Sequence, residues 1–221
     1  MRQMDALRTD APTHRRTTVP PGSRWHNGPL SGAAAVCRAL ADSHDVAMKS
    51  RHSERFTMFE PVSMNLILWR HADAENLPAS LALSAQADLA RELTDRGRKQ
   101  AEKAAQWLRP RLPDDAIILC SPAVRAVQTA QALTPGARIV RDLAPGASAL
   151  TLLGAIDWPG TAQTIVLVGH QPALGQLASL LITGQEAYWT IKKAGIWWLA
   201  SRRREDESQV VVRAVVNPDL L

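Results

Sequence analysis

Two apolar runs in this chain each break off on an imidazole. Met64-Asn65-Leu66-Ile67-Leu68-Trp69 stops on Arg70-His71, and Thr164-Ile165-Val166-Leu167-Val168-Gly169 stops on His170. Runs that are apolar almost without alternation read as strands buried on both faces, which is the signature of a parallel sheet covered by helices. A guanidinium and two imidazoles have no place inside such a core. In open parallel α/β sheets the functional crevice lies at the carboxyl ends of the strands. Two separate strands therefore deliver Arg70, His71 and His170 to one place.

The rest of the region from Met64 alternates in the manner such a sheet needs. Strand 64–70 is followed by a polar loop, then by an amphipathic stretch from about residue 83 that runs into a helix start at Leu93-Thr94-Asp95-Arg96-Gly97. Thr94 suits the N-cap and Asp95 the first turn. That helix turns Ala101, Ala104, Ala105 and Leu108 inward and ends near Pro110. Strand 116–120 meets Ser121-Pro122, read as an N-cap with proline at the first helical position, opening a helix to about Leu133. A short strand at 138–140, a helix at 149–156, the strand at 164–169 and a helix at 173–181 follow. The chain closes on 195–200 and 209–215, read as an antiparallel hairpin whose turn carries Arg202-Arg203-Arg204 and Glu205-Asp206-Glu207. The expected fold is a three-layer α/β/α sandwich with a mostly parallel sheet over residues 64–221.

Residues 1–63 are of another character. Pro20-Pro21-Gly22 and Asn27-Gly28-Pro29 punctuate them, and the one helical stretch, Ala33 to Met48, offers mostly alanine for burial. Such a segment buries too little apolar surface to offset its ordering entropy. It reads as an extension outside the domain: either an over-called start, Met64 being itself a candidate initiator, or a disordered arm. No apolar run approaches the roughly 20 residues that span a bilayer, and the first residues lack the apolar core of a signal peptide. The expected location is the cytoplasm, with no membrane attachment. The net charge of +5 is spread along the 221 residues without aromatic interleaving, which gives no support to nucleic-acid binding. Cys37 and Cys120 lack metal-ligand spacing, and Cys120 at a strand end reads as a small buried hydrophobe.

Three segments carry the chemistry, and each alone has a bland reading. Arg70 beside His71 wants an anionic partner, which Asp73 or Glu75 would supply within the fold. Arg125, in Ser121-Pro122-Ala123-Val124-Arg125, falls in the first turns of a helix, where a cation is electrostatically wrong unless an anion offsets it. In Gly169-His170-Gln171-Pro172, glycine allows close backbone approach and proline suits the next helix start. Taken together, all three lie at the carboxyl end of a strand and just before a helix. Attack on phosphorus by an imidazole, with cations and a second imidazole holding the phosphoryl oxygens, is the chemistry such a set suits.

Leu66 to Ala74, Leu93 to Ala101, Ser121 to Ala130 and Val168-Gly169-His170 resemble, in order and spacing, the successive motifs of the histidine phosphatase superfamily. The short length and the Arg70-His71-Ala72-Asp73-Ala74-Glu75 start are most similar to the SixA-type phosphohistidine phosphatases. The resemblance covers residues 64 to about 216 and implies a phosphoglycerate mutase-like sandwich. It makes His71 the nucleophile that is transiently phosphorylated, with Arg70, Arg125 and His170 as catalytic phosphate-pocket residues and Ser121 among the substrate-binding ones. It implies no cofactor and no metal. Charge neutralisation by arginine forks suits phosphoryl transfer, and two flanking arginines disfavour protonation of the attacking imidazole.

Members of the superfamily that act on sugar phosphates carry an acid that protonates an alkoxide leaving group. Between Ala130 and Thr164 this chain has only a short link, with Asp142 and Asp157 as its acids, and Asp142 as the weak proton donor to consider. An imidazole leaving group, with a pKa near ~6.5, departs without strong acid help. The expected function is therefore hydrolysis of phosphohistidine on a phosphorelay or phosphocarrier protein through a covalent phosphohistidine intermediate. The alternatives are a small-molecule phosphomonoesterase on the same fold and a phosphoprotein-binding module without turnover.

Overall fold

The computed structural model describes residues 64–221 apart from 82, 161–162 and 205–206. The expected extension of residues 1–63, including the helix read at Ala33 to Met48, lies outside the described residues. Strands β1 (Asn65–Arg70), β2 (Ile117–Cys120), β3 (Arg138–Ile139), β4 (Thr164–Gly169), β5 (Ile196–Arg204) and β6 (Glu207–Val216) form one sheet in the order β3-β2-β4-β1-β5-β6. The first four pair in parallel, and the closing hairpin adds β5 and β6 antiparallel beside β1. Helices α1 (Ala85–Ala90), α2 (Asp95–Leu108), α3 (Val124–Gln131), α4 (Ala149–Gly154) and α5 (Ala173–Thr183) connect and cover it. The α/β sandwich expected from the strand–helix alternation is the one observed. No described helix is long and apolar enough to cross a membrane.

Side-chain alternation along the central strands sorts the core into two faces. Leu66 and Leu68 of β1 and Ile165 and Leu167 of β4 pack with Leu152, Leu174 and Leu177 from α4 and α5. Ile67, Trp69, Val166 and Val168 face the other way, onto Ala104, Ala105 and Leu108 of α2 and Ala126 and Ala130 of α3. Cys120 belongs to this second cluster as a buried free thiol. The alanines let α2 and α3 approach the sheet closely, and the indoles of Trp69 and Trp198 fill what remains.

Local rules account for the helix ends. Thr94 caps α2 by accepting from the Gly97 N–H at 2.9 Å, as its sequence position predicts. Gly184, at φ 75°, ends α5 in the left-handed conformation. Close packing demands glycine most strongly at Gly97 and Gly175. A Cβ on Gly97 would fall 1.9 Å from the Asp73 carbonyl oxygen, and one on Gly175 would fall 1.7 Å from that of Trp189. At Gly169 it would make ordinary contacts with Leu167 and Leu174, so packing does not require glycine there.

Three expectations need correction. The amphipathic stretch from residue 83 does not run on into α2. Arg91 takes an extended conformation and closes α1 after six residues, and Leu93 bridges to Ala74. The helix after β2 begins at Val124 with Ala123 as its cap, not at Ser121-Pro122, because Ser121 bonds elsewhere. The run Arg202-Arg203-Arg204 ends strand β5 rather than forming the hairpin turn, with Arg204 paired to Glu207.

Candidate active site

Strands β1 and β4 are hydrogen-bonded neighbours with Arg70 opposite Gly169, so the residues that follow each of them emerge side by side. The rings of His71 and His170 lie 5.0 Å apart between centroids, and both side chains are buried. Each is fixed through one nitrogen. His71 Nδ1 lies 2.7 Å from the Ala72 carbonyl oxygen. A carbonyl can only accept, so Nδ1 carries the proton and Nε2 keeps its lone pair. His170 Nε2 lies 2.7 Å from Ser121 Oγ. That hydroxyl also accepts the Ala123 N–H at 3.2 Å; in the tautomer where it donates to Nε2, the His170 proton sits on Nδ1.

Both imidazoles are neutral at physiological pH. Burial, aided by the charges of Arg125, Arg70 and Arg91, pushes His71 down to about 4 against the opposing pull of its Ala72 hydrogen bond. Burial and the neighbouring His71 and Arg125 push His170 down to about 3. A neutral His71 with a free Nε2 is the state a nucleophile requires.

The loop beyond β1 is tied down from the alanine-rich face. The Ala72 N–H donates to Thr129 Oγ1 at 3.1 Å, and that hydroxyl donates to the Arg125 carbonyl at 2.6 Å. The Asp73 N–H donates to Gln100 Oε1 at 3.1 Å. Asp73 does not neutralise Arg70. Its carboxylate accepts from Lys193 and Thr94, while Arg70 donates to the Ile191 carbonyl at 2.8 Å. No ion pair to Arg70 occurs among the described residues.

Arg125 is 3% exposed and lies 2.9 Å from the Asp88 carboxylate; it also donates to the Asp88 carbonyl. Asp88 in turn holds Arg91 at 2.8 Å. Neither Asp88 of α1 nor Arg91, which closes it, stood out in the sequence. The one available signal was the Asp88-x-x-Arg91 spacing, which puts opposite charges one helical turn apart. Among the described residues, four buried side-chain nitrogens have no hydrogen-bond partner: Arg70 Nε, Arg125 Nε, His170 Nδ1 and Trp69 Nε1. The first three belong to the cluster around His71; Trp69 packs in the alanine-rich core. Unmatched buried donors are costly in a folded protein, and three in one cluster are what an anion with several acceptor oxygens would satisfy.

Asp142 makes no hydrogen bond or ion pair with this set among the described residues. It is exposed on a 3-10 turn, Arg141–Leu143, after β3. Among the described residues no group of three or more His, Cys, Asp or Glu side chains is placed to hold a metal ion.

The comparisons with known proteins agree with this geometry. The model of the histidine phosphatase superfamily (branch 1) matches residues 66–144. An uncharacterized protein of Picosynechococcus sp. is 36% identical over 119 residues, spanning 50% of this chain and 72% of that protein. An uncharacterized protein of Mycobacterium tuberculosis is 38% identical over 106 residues, spanning 46% of this chain and 66% of its own length. Among solved structures, the putative phosphohistidine phosphatase SixA from Nakamurella multipartitia superposes with a TM-score of 0.54 at 26% identity, over 72% of this chain and 99% of that one. The protein histidine phosphatase SixA complexed with tungstate shares the fold with a TM-score of 0.54 at 21% identity, over 71% of this chain and 98% of that one. With the family model, the fold and the paired strand-end histidines in agreement, the chain belongs to the histidine phosphatase superfamily.

Proposed function

We propose that this phosphatase hydrolyses phosphohistidine on a phosphorelay or phosphocarrier protein in the cytoplasm, with His71 as its nucleophile. The observation that carries the reading is the cluster of orphaned donors, Arg70 Nε, Arg125 Nε and His170 Nδ1, around an imidazole whose Nε2 is free. A tetrahedral phosphoryl group has the oxygens to satisfy all three. These donors neutralise the charge on its equatorial oxygens while Nε2 attacks in line.

In the first step the His71 Nε2 lone pair forms a bond to phosphorus. The P–N bond of the substrate breaks, and its electron pair returns to the leaving imidazole, which is neutral when its other nitrogen holds a proton. The phosphoenzyme keeps its Nδ1 proton on the Ala72 carbonyl. In the second step water attacks phosphorus, the P–N bond to His71 breaks, and inorganic phosphate leaves with the elements of water.

The substrate preference rests on the acid at the pocket. Asp88 is the carboxylate bonded to Arg125. Burial works against its charge, but the hydrogen bonds and charges of Arg125 and Arg91 hold it below the usual carboxylate range. A carboxylate kept ionised is a poor proton donor, and an alkoxide leaves badly without one. A phosphoramidate needs no such help, since its imidazole leaving group has a pKa near ~6.5. Turnover of a phosphohistidine carrier protein against a panel of sugar phosphates tests the reading. The expected result is a higher kcat/KM on the carrier, with an acid-labile phosphoenzyme that His71→Ala abolishes. Equal or better turnover of a sugar phosphate would replace this reading with a small-molecule phosphomonoesterase. Asp142→Asn is expected to leave turnover of the carrier unchanged.

A further inference from the structure

Helix α1 is an odd piece of architecture. It is only six residues long and buries none of them, so hydrophobic packing does not explain its place beside the site. What holds it is polar. Arg91 donates to the Glu75 carbonyl at 3.1 Å, and Asp88 offers both its carboxylate and its carbonyl oxygen to Arg125. Arg125 is the buried partner, at 3% exposure against 32% for Asp88.

The division of hydrogen bonds on that guanidinium is informative. Its two terminal nitrogens, Nη1 and Nη2, each bond to Asp88, whereas Nε is buried without a partner among the described residues. A guanidinium has five N–H donors in a rigid plane. Fixing its terminal nitrogens fixes the direction of the Nε–H as well. An arginine side chain left to itself has four torsions to search and a like charge, Arg91, to avoid. The clamp removes that freedom before any ligand arrives.

Resting on the reading that the cluster binds a phosphoryl group, we infer that Asp88 is a positioning residue: it clamps Arg125 from the side away from the ligand and aims Nε at the phosphoryl oxygens. Asp88 does not itself touch the substrate. Its carboxylate is the counter-charge that keeps a buried arginine in place through the catalytic cycle, and loss of one member of a buried pair is damaging because the other is left unpaired. The clamp also makes α1 part of the active site. Its register is read out directly in the position of Arg125.

The test is a double-mutant cycle on the full chain, read by vanadate binding and by turnover of a phosphohistidine carrier protein. Vanadate is a probe that takes up the trigonal-bipyramidal shape of a phosphoryl group in flight, and its affinity is measurable from thermal protection without turnover. Asp88→Asn keeps the backbone carbonyl and the side-chain shape but removes the charge. It is expected to weaken vanadate at least tenfold and to lower kcat/KM with the larger part of the loss in kcat. Asp88→Glu should recover part of both. In an Arg125→Gln background the further Asp88→Asn change should cost less than twofold, because the clamp then has nothing to hold. Equal losses in the two backgrounds, or no loss on Asp88→Asn in the parent, would overturn the inference. Where a double variant melts below the assay temperature, the parental pair Asp88→Asn and Asp88→Glu decides: no recovery by glutamate counts against the clamp. A wild-type protein that neither binds vanadate nor turns over the carrier would refute the phosphoryl-site reading itself, a separate outcome.

Discussion

The carboxyl rim of the sheet and the body beneath it obey opposite rules, although the same strands build both. Within β1 and β4 every side chain from Leu66 to Trp69 and from Ile165 to Val168 is buried against another apolar group. Two residues further along, the chain buries His71 and His170, and the Nδ1 of His170 is unmatched among the described residues. The body minimises free energy locally. The rim holds polar groups out of water in an arrangement that, on the proposed function, a phosphoryl group completes. Stability and reactivity are thus separated by two residues along the chain at each strand end. Natural sites are strained in this sense because the body beneath is stable enough to hold them.

That contrast is open to direct attack. The largest effect is expected for His71→Ala, which should reduce turnover by about 10⁶-fold, as loss of a covalent nucleophile does, with no drop in melting temperature. A drop as large as that of a core truncation would place His71 in the body rather than the rim. Leu177→Ala is the mirror experiment. Leu177 is fully buried beneath the sheet, so urea unfolding should show a loss of about 2–5 kcal/mol, while kcat of the folded fraction stays within about twofold. A smaller effect is expected for Ser121→Ala, which frees His170 to change tautomer; kcat should fall by roughly 10²-fold with little change in stability.

The mildest effect is on pH-dependent stability. In the unfolded chain both histidines take up protons near pH 6.5, whereas the folded protein resists until about 4 for His71 and about 3 for His170. The unfolded state therefore binds more protons as pH falls through this window, and stability present above 6.5 is lost below it. Asp73 and Asp88, held below their ordinary 3.8, add their own loss only at still lower pH. Thermal melts between pH 7 and 4.5 should show a steady fall in Tm that flattens in His71→Ala. A flat wild-type profile would mean that the two rings are already solvated.

The ease of reading these regions from sequence differed for a physical reason. The central strands and their terminal histidines show themselves because periodicity and its interruption are local: a buried run that stops on Arg70-His71 needs no knowledge of what lies beside it. Thr94 is readable for the same cause, since a cap and its helix are contiguous. Asp88 is not. It lies in a six-residue helix that buries none of its residues, and its partner Arg125 is 37 residues away, so neither pattern nor propensity carries a trace of the pairing. Ser121 misled for the converse reason. Its neighbour Pro122 made a strong local cap signal, yet the hydroxyl is engaged by His170, 49 residues on, and the helix starts later. The charged run at 202–204 likewise looked like a turn, because charge is a poor guide to where an edge hairpin ends.

The parallel register of β1 against β4 carries a last consequence. The two imidazoles are separated by most of the domain along the chain but by one rung of a hydrogen-bonded ladder in space, Arg70 beside Gly169. A ladder has discrete settings. A slip of one residue would turn every side chain to the opposite face, so their spacing is either right or wholly lost, and gradual drift is not available to it. Everything strung between those rungs, from the loop after His71 through four of the five helices, can lengthen, shorten or exchange sequence without retuning that distance. Such a scaffold lets lineages reshape what approaches the histidines while the histidines themselves stay in step.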